Sequence, residues 1–90
     1  MRLVAQVLED ATGRLITALG LPTREARIEA RALASHAWQT STSWLLAHDQ
    51  NALSEADKTQ FAALLARREK GEPVAYIVGK REFFGLDFLV

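Results

Sequence analysis

Apolar residues recur every three or four positions through most of this 90-residue chain, and that spacing is the period of an amphipathic helix. The first stripe of apolar residues begins at Leu3 and ends at Leu19. Gly20 follows it directly, and glycine is the residue that most often terminates a helix. The pattern therefore predicts an amphipathic helix from Leu3 to Leu19.

A second helix is predicted to follow, with Thr23 as its N-cap residue and Glu25 in its first turn, where the helix dipole favours negative charge. Its main apolar stripe consists of Ala26, Ala30, Leu33 and Ala37. Ile28 and Ala32 fall on nearly the opposite side, which predicts a helix packed on two faces at the centre of a bundle. A third stripe on this helix consists of Arg24, Arg27 and Arg31.

Three more helices are predicted after a polar break at residues 40–43. The apolar run at residues 44–47 indicates a helix of about two turns. Ser54 is the candidate N-cap of a longer helix that runs to Lys70. A proline then restarts the chain for a short helix over residues 74–78, because proline is tolerated in the first turn.

The last eleven residues differ in character from the rest. Residues 80–90 are rich in aromatic and aliphatic side chains around Gly85, a pattern typical of a β-hairpin or an extended arm. Such an apolar arm needs a surface to pack on, so we expect the chain to be part of a longer protein. The predicted fold is all-α, a small bundle of about five helices at residues 1–79 with a hairpin or linker at residues 80–90.

Composition and charge exclude several classes of function. Basic and acidic residues balance at formal net charge +0, which argues against a polybasic nucleic-acid binder or a membrane-surface domain. The chain has no cysteine, so it offers neither a disulfide framework nor a cysteine-based zinc site. Its N-terminus lacks the apolar core of a signal peptide, and no stretch reaches the ~18 apolar residues of a membrane span. We therefore expect a cytoplasmic protein.

Candidate catalytic and metal-binding residues are few. His36 and His48 are the only two histidines, and their spacing is unlike that of metal ligands on one helix. The five glycines are dispersed, so the chain has neither a dinucleotide fingerprint nor a phosphate-binding loop. No serine lies in a Gly-x-Ser-x-Gly motif, and the neighbouring acids lie on helices that also carry arginines. We predict no catalytic residue, metal or cofactor in this chain.

Two groups of basic residues are candidates for contact with a partner protein. Arg27 and Arg31 lie on the second helix, and Arg67 and Arg68 lie near the end of the fourth. Glutamates are interleaved with the second group, and a solvated face of salt bridges is the alternative interpretation for both groups.

A family resemblance emerges in the segment at residues 71–90, which reads Gly-Glu-Pro-Val-Ala-Tyr-Ile-Val-Gly-Lys-Arg-Glu-Phe-Phe-Gly-Leu-Asp-Phe-Leu-Val. It resembles the signature Gly-Glu-Pro-x-x-Tyr-(Ile/Leu)-x-Gly-x-(Arg/x)-Glu-Phe-(Trp/x)-Gly-Leu-x-Phe-x-Val. That signature joins the two domains of bacterial release-factor glutamine methyltransferases of the HemK/PrmC type. Upstream stretches agree with the family in order and spacing at residues 29–37, 44–48, 53–55 and 65–73. Residues 40–43 depart from the glycine-containing turn usual in the family.

The resemblance implies a helical N-terminal domain that recognises the substrate, followed by a Rossmann-like methyltransferase domain that binds S-adenosylmethionine. The family methylates the glutamine side chain in the Gly-Gly-Gln motif of peptide chain release factors and so tunes translation termination. Its catalytic Asn-Pro-Pro-Tyr motif lies downstream of the part that this chain resembles, so the chain alone is expected to be non-catalytic. By resemblance, Glu82, Phe83, Phe84 and Gly85 belong to the domain junction and approach the substrate pocket, with interdomain packing as the alternative.

Two other classes of function stay open at this point. A free-standing helical interaction module would have residues 83–90 folded back on the bundle. A helix-turn-helix-like nucleic-acid binder would use the arginines of the second helix, although the neutral charge opposes it. The leading expectation is a release-factor-recognising domain. Its partners would be release factors and its own methyltransferase domain, without contact to membrane or nucleic acid.

Overall fold

In a computed structural model that describes residues 2–79, the chain folds into a bundle of helices. The helices are α1 (Val4–Leu19), α2 (Thr23–Trp38), α3 (Thr42–Ala47), α4 (Glu55–Glu69) and α5 (Val74–Val78). Across residues 2–79 no strand forms, and Leu3 and Ala52 make an isolated antiparallel bridge. The all-α prediction is therefore confirmed, while the hairpin or arm predicted at residues 80–90 lies outside the described residues.

The helix boundaries follow the capping residues that the sequence offers. Gly20 ends α1 in the left-handed conformation, with φ of 69°, and its N–H donates to the carbonyl of Ile16. The side chain of Ser41 accepts from the N–H of Trp44 at 3.0 Å. Ser54 caps α4 in the same way, accepting from Asp57 N–H at 3.1 Å. Hydroxyl caps thus begin the two helices that follow the polar loops.

The N-cap predicted for α2 is wrong by one residue. Pro22, rather than Thr23, is the N-cap, and no side chain bonds to the free N–H groups of this helix end. The proline ring holds φ at −61°, its ψ of 148° is extended, and its carbonyl accepts from Ala26 N–H at 2.9 Å. Because Pro22 already supplies the change from extended to helical backbone, Thr23 becomes the first helical residue.

α2 lies at the centre of the bundle, as predicted, and contacts α1, α3, α4 and α5. The inner side of α2 is dominated by small residues, which allow neighbouring helices to approach closely. Its buried residues are Ala26, Ala30, Leu33 and Ala34. They pack in one core with the buried residues of the other helices, including Val4, Ala11, Leu15, Leu45, Phe61, Leu65, Val74, Ile77 and Val78.

The outer side of α2 differs from its prediction. Ile28 is 51% exposed, so the expectation that α2 is packed on two faces is wrong at this position. Ala32, the other residue predicted on this side, is half-buried and packs against the core. The buried side also differs from its prediction in two residues. Ala34, which was not predicted, is fully buried, and Ala37, which was predicted, is only half-buried.

The connection between α3 and α4 is hydrogen-bonded to the start of α1, and the first turn of α4 is hydrogen-bonded to the end of α2. Backbone N–H groups at the start of α1 donate to this loop, Val4 to Asn51 at 2.9 Å and Ala5 to Asp49 at 2.8 Å. The indole N–H of Trp38 donates to the carbonyl of Asp57 at 3.0 Å, and the Trp38 ring contacts Phe61. These contacts satisfy buried polar groups and hold the N-terminal half of α4 on the bundle.

Candidate functional site

The end of α4 carries a cluster of ion pairs, here called the ion-paired corner, made of Glu29, Arg67, Arg68 and Glu72. Arg68 reaches from α4 to Glu29 of α2 and donates twice, from Nε at 2.8 Å and from Nη2 at 3.2 Å. The two side chains are only 17% and 19% exposed. This two-point, partly buried contact is stronger and more geometrically specific than an ordinary surface pair, and it fixes α4 against α2.

The second half of the ion-paired corner joins α4 to the approach to α5. Arg67 Nε donates to Glu72 at 2.9 Å, and Arg67 Nη2 donates to the other carboxylate oxygen. Arg68 also donates to the backbone carbonyl of Glu72 at 3.3 Å. The hydrogen bond from Arg67 is the main cause that lowers the pKa of Glu72, and the same bond raises the pKa of Arg67. The charges of this pair are therefore already engaged within the domain.

A glycine makes this corner sterically possible. Gly71 lies between α4 and Glu72 with φ of 102°, a backbone conformation that side chains disfavour. The reversal at Gly71 brings the N–H of Glu72 to 3.2 Å from the carbonyl of Arg67. Pro73 then serves as the N-cap of α5. The Gly-Glu-Pro sequence thus builds the turn that sets the direction in which α5 packs on the bundle.

A further ion pair ties α1 to the same end of α4. Arg14 donates to Glu69 from Nε at 2.9 Å and from Nη2 at 2.8 Å. With this pair, the C-terminal turn of α4 is joined by arginine–carboxylate contacts to α1, to α2 and to the start of α5. The geometry therefore favours the salt-bridged interpretation of Arg67 and Arg68.

The other two predicted site residues lie on a different part of the surface. Arg27 approaches Glu9 of α1 at 3.9 Å, a long contact between exposed side chains that contributes little to stability. Arg31 is half-buried and has no acidic partner within residues 2–79. At 100° per residue, Arg27 lies roughly 200° around α2 from Glu29. The structure therefore does not bring Arg27 and Arg31 together with Arg67 and Arg68.

Three exposed apolar side chains were not singled out as site residues by the sequence pattern. Ile28 is 51%, Leu46 is 60% and Tyr76 is 70% exposed. Tyr76 could have been found from periodicity, since Val74, Ile77 and Val78 occupy the buried side of α5 and Tyr76 lies opposite.

His48 makes contacts within its own helical turn. His48 stacks on Trp44, with ring centroids 4.3 Å apart, and its Nδ1 lies 3.0 Å from the carbonyl of Trp44. No group of acids and histidines within residues 2–79 is arranged to hold a metal ion. The surface concavities that line α1 are open grooves with Glu9 and Asp10 on their walls. The predicted junction residues Glu82, Phe83, Phe84 and Gly85 lie outside the described residues.

These features define a small helical domain in which ion pairs fix the end of α4 to α1, to α2 and to the turn before α5. Comparison with known proteins identifies the family: residues 6–79 match the PrmC N-terminal domain, and the chain belongs to that family. A helix able to span a membrane does not occur among the described residues.

Three relatives illustrate the match. Release factor glutamine methyltransferases of Bordetella pertussis and Haemophilus influenzae are 48% and 43% identical over 66 and 65 residues, covering 73% and 72% of this chain and 23% and 22% of theirs. A bifunctional methyltransferase of Rickettsia conorii is 38% identical over 87 residues, covering 97% of this chain and 16% of its own. The chain thus spans less than a quarter of the length of these relatives. No solved structure matches it.

Proposed function

We propose that this chain is the release-factor-recognising N-terminal domain of a protein-(glutamine-N5) methyltransferase. The parent protein would methylate the Gly-Gly-Gln glutamine of peptide chain release factors in the cytoplasm. The observation that carries the proposal is the family match over residues 6–79, supported by two relatives that are named release factor glutamine methyltransferases. The domain itself would be non-catalytic.

A division of labour between two domains suits the chemistry of the reaction. An amide nitrogen is a poor nucleophile, so its methylation depends on precise positioning of the glutamine side chain. A second, rigid surface that holds the bulky protein substrate in register lowers the entropic cost of that positioning. This domain would supply the second surface.

The methyl donor S-adenosylmethionine would bind elsewhere in the parent protein. Two observations support this placement: the glycines at 13, 20, 71 and 79 are dispersed, and the grooves along α1 are open to solvent. When bound, this cofactor supplies the methyl group. The task left to residues 2–79 would be to bind and orient the protein substrate.

The ion-paired corner suits this role as a structural device. Residues 80–90 would connect the bundle to the methyltransferase domain, with Glu82, Phe83, Phe84 and Gly85 at the junction. Because Arg67 and Arg68 fix the turn before α5, they would set the direction of that connection. Arg27 and Arg31, which lie away from the corner, are the more available of the four proposed contacts with the release factor.

Calorimetric titration of this chain with purified release factor tests the proposal, with the complete protein that carries the chain as reference. Measurable binding by the chain would support an autonomous recognition domain. If the complete protein binds the factor and the chain does not, recognition belongs to the methyltransferase domain or the junction. That result would contradict the proposal.

Charge reversal separates the two groups of arginines. Arg27→Glu with Arg31→Glu in the complete protein should lower kcat/KM for intact release factor by ~10-fold or more and leave kcat/KM for a short Gly-Gly-Gln peptide within ~2-fold. Only intact factor can contact this domain while its glutamine is bound. Equal losses on both substrates, or none on either, would contradict a recognition role for Arg27 and Arg31.

A further inference from the structure

The outer side of α2 carries a short row of residues, here called the outer stripe, made of Arg24, Ile28 and Arg31. Positions four and three residues apart lie above one another on a helix, so the three side chains form a single line. Ile28, at the centre of this line, is 51% exposed. The row therefore presents one large apolar side chain between two guanidinium groups.

Among the arginines that the structure describes, the two of the outer stripe are distinguished by having no carboxylate partner within residues 2–79. Residues 2–79 contain seven arginines, and five of them pair with an acidic side chain: Arg2, Arg14, Arg27, Arg67 and Arg68. Within the same residues no ion pair involves Arg24 or Arg31. In the described part of the chain, the arginines thus pair with acidic side chains except at the two positions that flank an exposed isoleucine.

Local stability does not explain this arrangement. Arg24 lies in the first turn of α2, where positive charge opposes the helix dipole. Ile28 contributes little hydrophobic burial within residues 2–79, because half of it faces solvent. Glu25 follows Arg24 directly, yet it pairs with neither arginine in the described part of the chain. An apolar centre with unpaired charges at its rim is instead the usual anatomy of a protein-binding surface.

The outer stripe lies on a different side of α2 from the ion-paired corner. Its three residues lie roughly 100–160° around α2 from Glu29, the residue that ties α2 to α4 and the turn before α5. The arginine–carboxylate contacts at the end of α4 and the turn before α5 therefore do not involve the stripe. Two guanidinium groups that have no acidic partner within residues 2–79 favour an occupant that carries carboxylates.

We propose that the outer stripe docks an acidic segment of the release factor that carries an apolar side chain. The inference rests on the proposed function and specifies its contact surface. Ile28 would be covered by the apolar side chain, and Arg24 and Arg31 would pair with carboxylates at the rim of the contact. Complementary charge of this kind raises association rates and selects the partner.

The test uses the complete protein that carries this chain, assayed with intact release factor and with a short Gly-Gly-Gln peptide. The first pair of variants is Ile28→Ser and its control Leu46→Ser, which alters an equally exposed apolar residue on α3. The second pair is the double variant Arg24→Gln with Arg31→Gln and the double control Gln50→Glu with Gln60→Glu. Both double variants lower the net charge by the same amount, and both glutamines are exposed.

We expect Ile28→Ser and the arginine double variant each to lower kcat/KM for intact release factor by at least ~10-fold, with the peptide reaction unchanged within ~2-fold. The arginine variant should also weaken the dependence of kcat/KM on salt. The two controls should behave as the wild type. Thermal unfolding should show all four variants folded, since every altered residue is at least partly exposed.

Either of two results would overturn the assignment of the outer stripe while leaving the proposed function intact. One is a loss no greater in the stripe variants than in their controls. The other is an equal loss on factor and peptide, which would indicate that the stripe contacts the methyltransferase domain. Absence of methylation of release factor by the wild-type protein would overturn the proposed function itself, and with it this contact.

Discussion

Both sides of α2 carry charged and apolar residues, but these residues make different contacts on the two sides. On the inner side, Glu29 lies beside the buried stripe, holds Arg68 at two points, and is largely shielded from solvent. On the outer side, Arg24 and Arg31 have no acidic partner within residues 2–79, and Ile28 between them is half exposed. The charge on the inner side therefore holds two helices together, whereas the charges on the outer side bind no acidic group within residues 2–79.

The comparison also shows why sequence neighbours are a poor guide to function in a small bundle. Arg27 and Arg31 are one turn apart, yet the first contacts α1 while the second has no ion pair among the described residues. A partly buried arginine–carboxylate pair must offset the loss of solvation of both groups, which it does only with good geometry. The Arg68–Glu29 pair of the ion-paired corner meets that condition, whereas Arg24 and Arg31 have no acidic partner within residues 2–79.

The largest effect should come from truncating the inner side of α2. Leu33 is fully buried, so Leu33→Ala is expected to lower the free energy of unfolding by ~2–5 kcal/mol through lost burial and an unfilled cavity. Ile28→Ala, on the outer side, should change it by less than ~1 kcal/mol. Urea denaturation of both variants measures the difference. Similar losses for the two would mean that α2 is covered on both sides after all.

Much of this fold is predictable from the sequence, because local signals and tertiary packing agree. The period of the apolar residues predicts α1. Gly20 ends that helix and Ser54 begins α4, as the backbone freedom of glycine and the serine hydroxyl lead one to expect. The error at Thr23 arose because a preceding proline can replace a hydroxyl cap. The error at Ile28 arose because periodicity reports that a side chain is apolar, not whether another element covers it.

The candidate site is less predictable, since its decisive contacts are distant in sequence. Arg68 and Glu29 are separated by 39 positions, and nothing local to either residue indicates that they meet. Arg67 and Glu72 are only five positions apart, so that pair could have been inferred from the turn at Gly71. The fold pairs five of the seven arginines in residues 2–79 with acidic side chains, so identifying the other two requires the three-dimensional structure.

An effect of intermediate size is expected from the partly buried pair of the ion-paired corner. Arg68→Gln should lower the free energy of unfolding by about 1–2 kcal/mol, because it leaves Glu29 largely shielded from solvent without its charged partner. Arg31→Gln, its counterpart on the outer side, should cost less than ~0.5 kcal/mol. A double-mutant cycle with Glu29→Gln isolates the pairwise coupling. A coupling indistinguishable from zero would remove the distinction between the two sides of α2.

The smallest effect concerns the exposed half of the corner, and it appears in the titration of one carboxyl group. The hydrogen bond from Arg67 lowers the pKa of Glu72, so in the unfolded chain this group binds its proton at higher pH than in the folded domain. Its contribution to stability is therefore complete above the ordinary glutamate pKa of about 4.3 and is lost as the pH falls through the lowered pKa.

Arg67→Gln should raise the pKa of Glu72 towards its ordinary range, because the main cause of the lowering is the bond that this variant removes. The change can be followed by NMR titration of the side-chain carboxyl carbons. Glu55 provides the internal control, since Lys58 lowers its pKa independently of Arg67, and its titration should stay the same in the variant. An unchanged Glu72 titration would mean that Arg67 does not pair with Glu72 in solution. The contrast between the two surfaces would then rest on the Arg68–Glu29 pair alone.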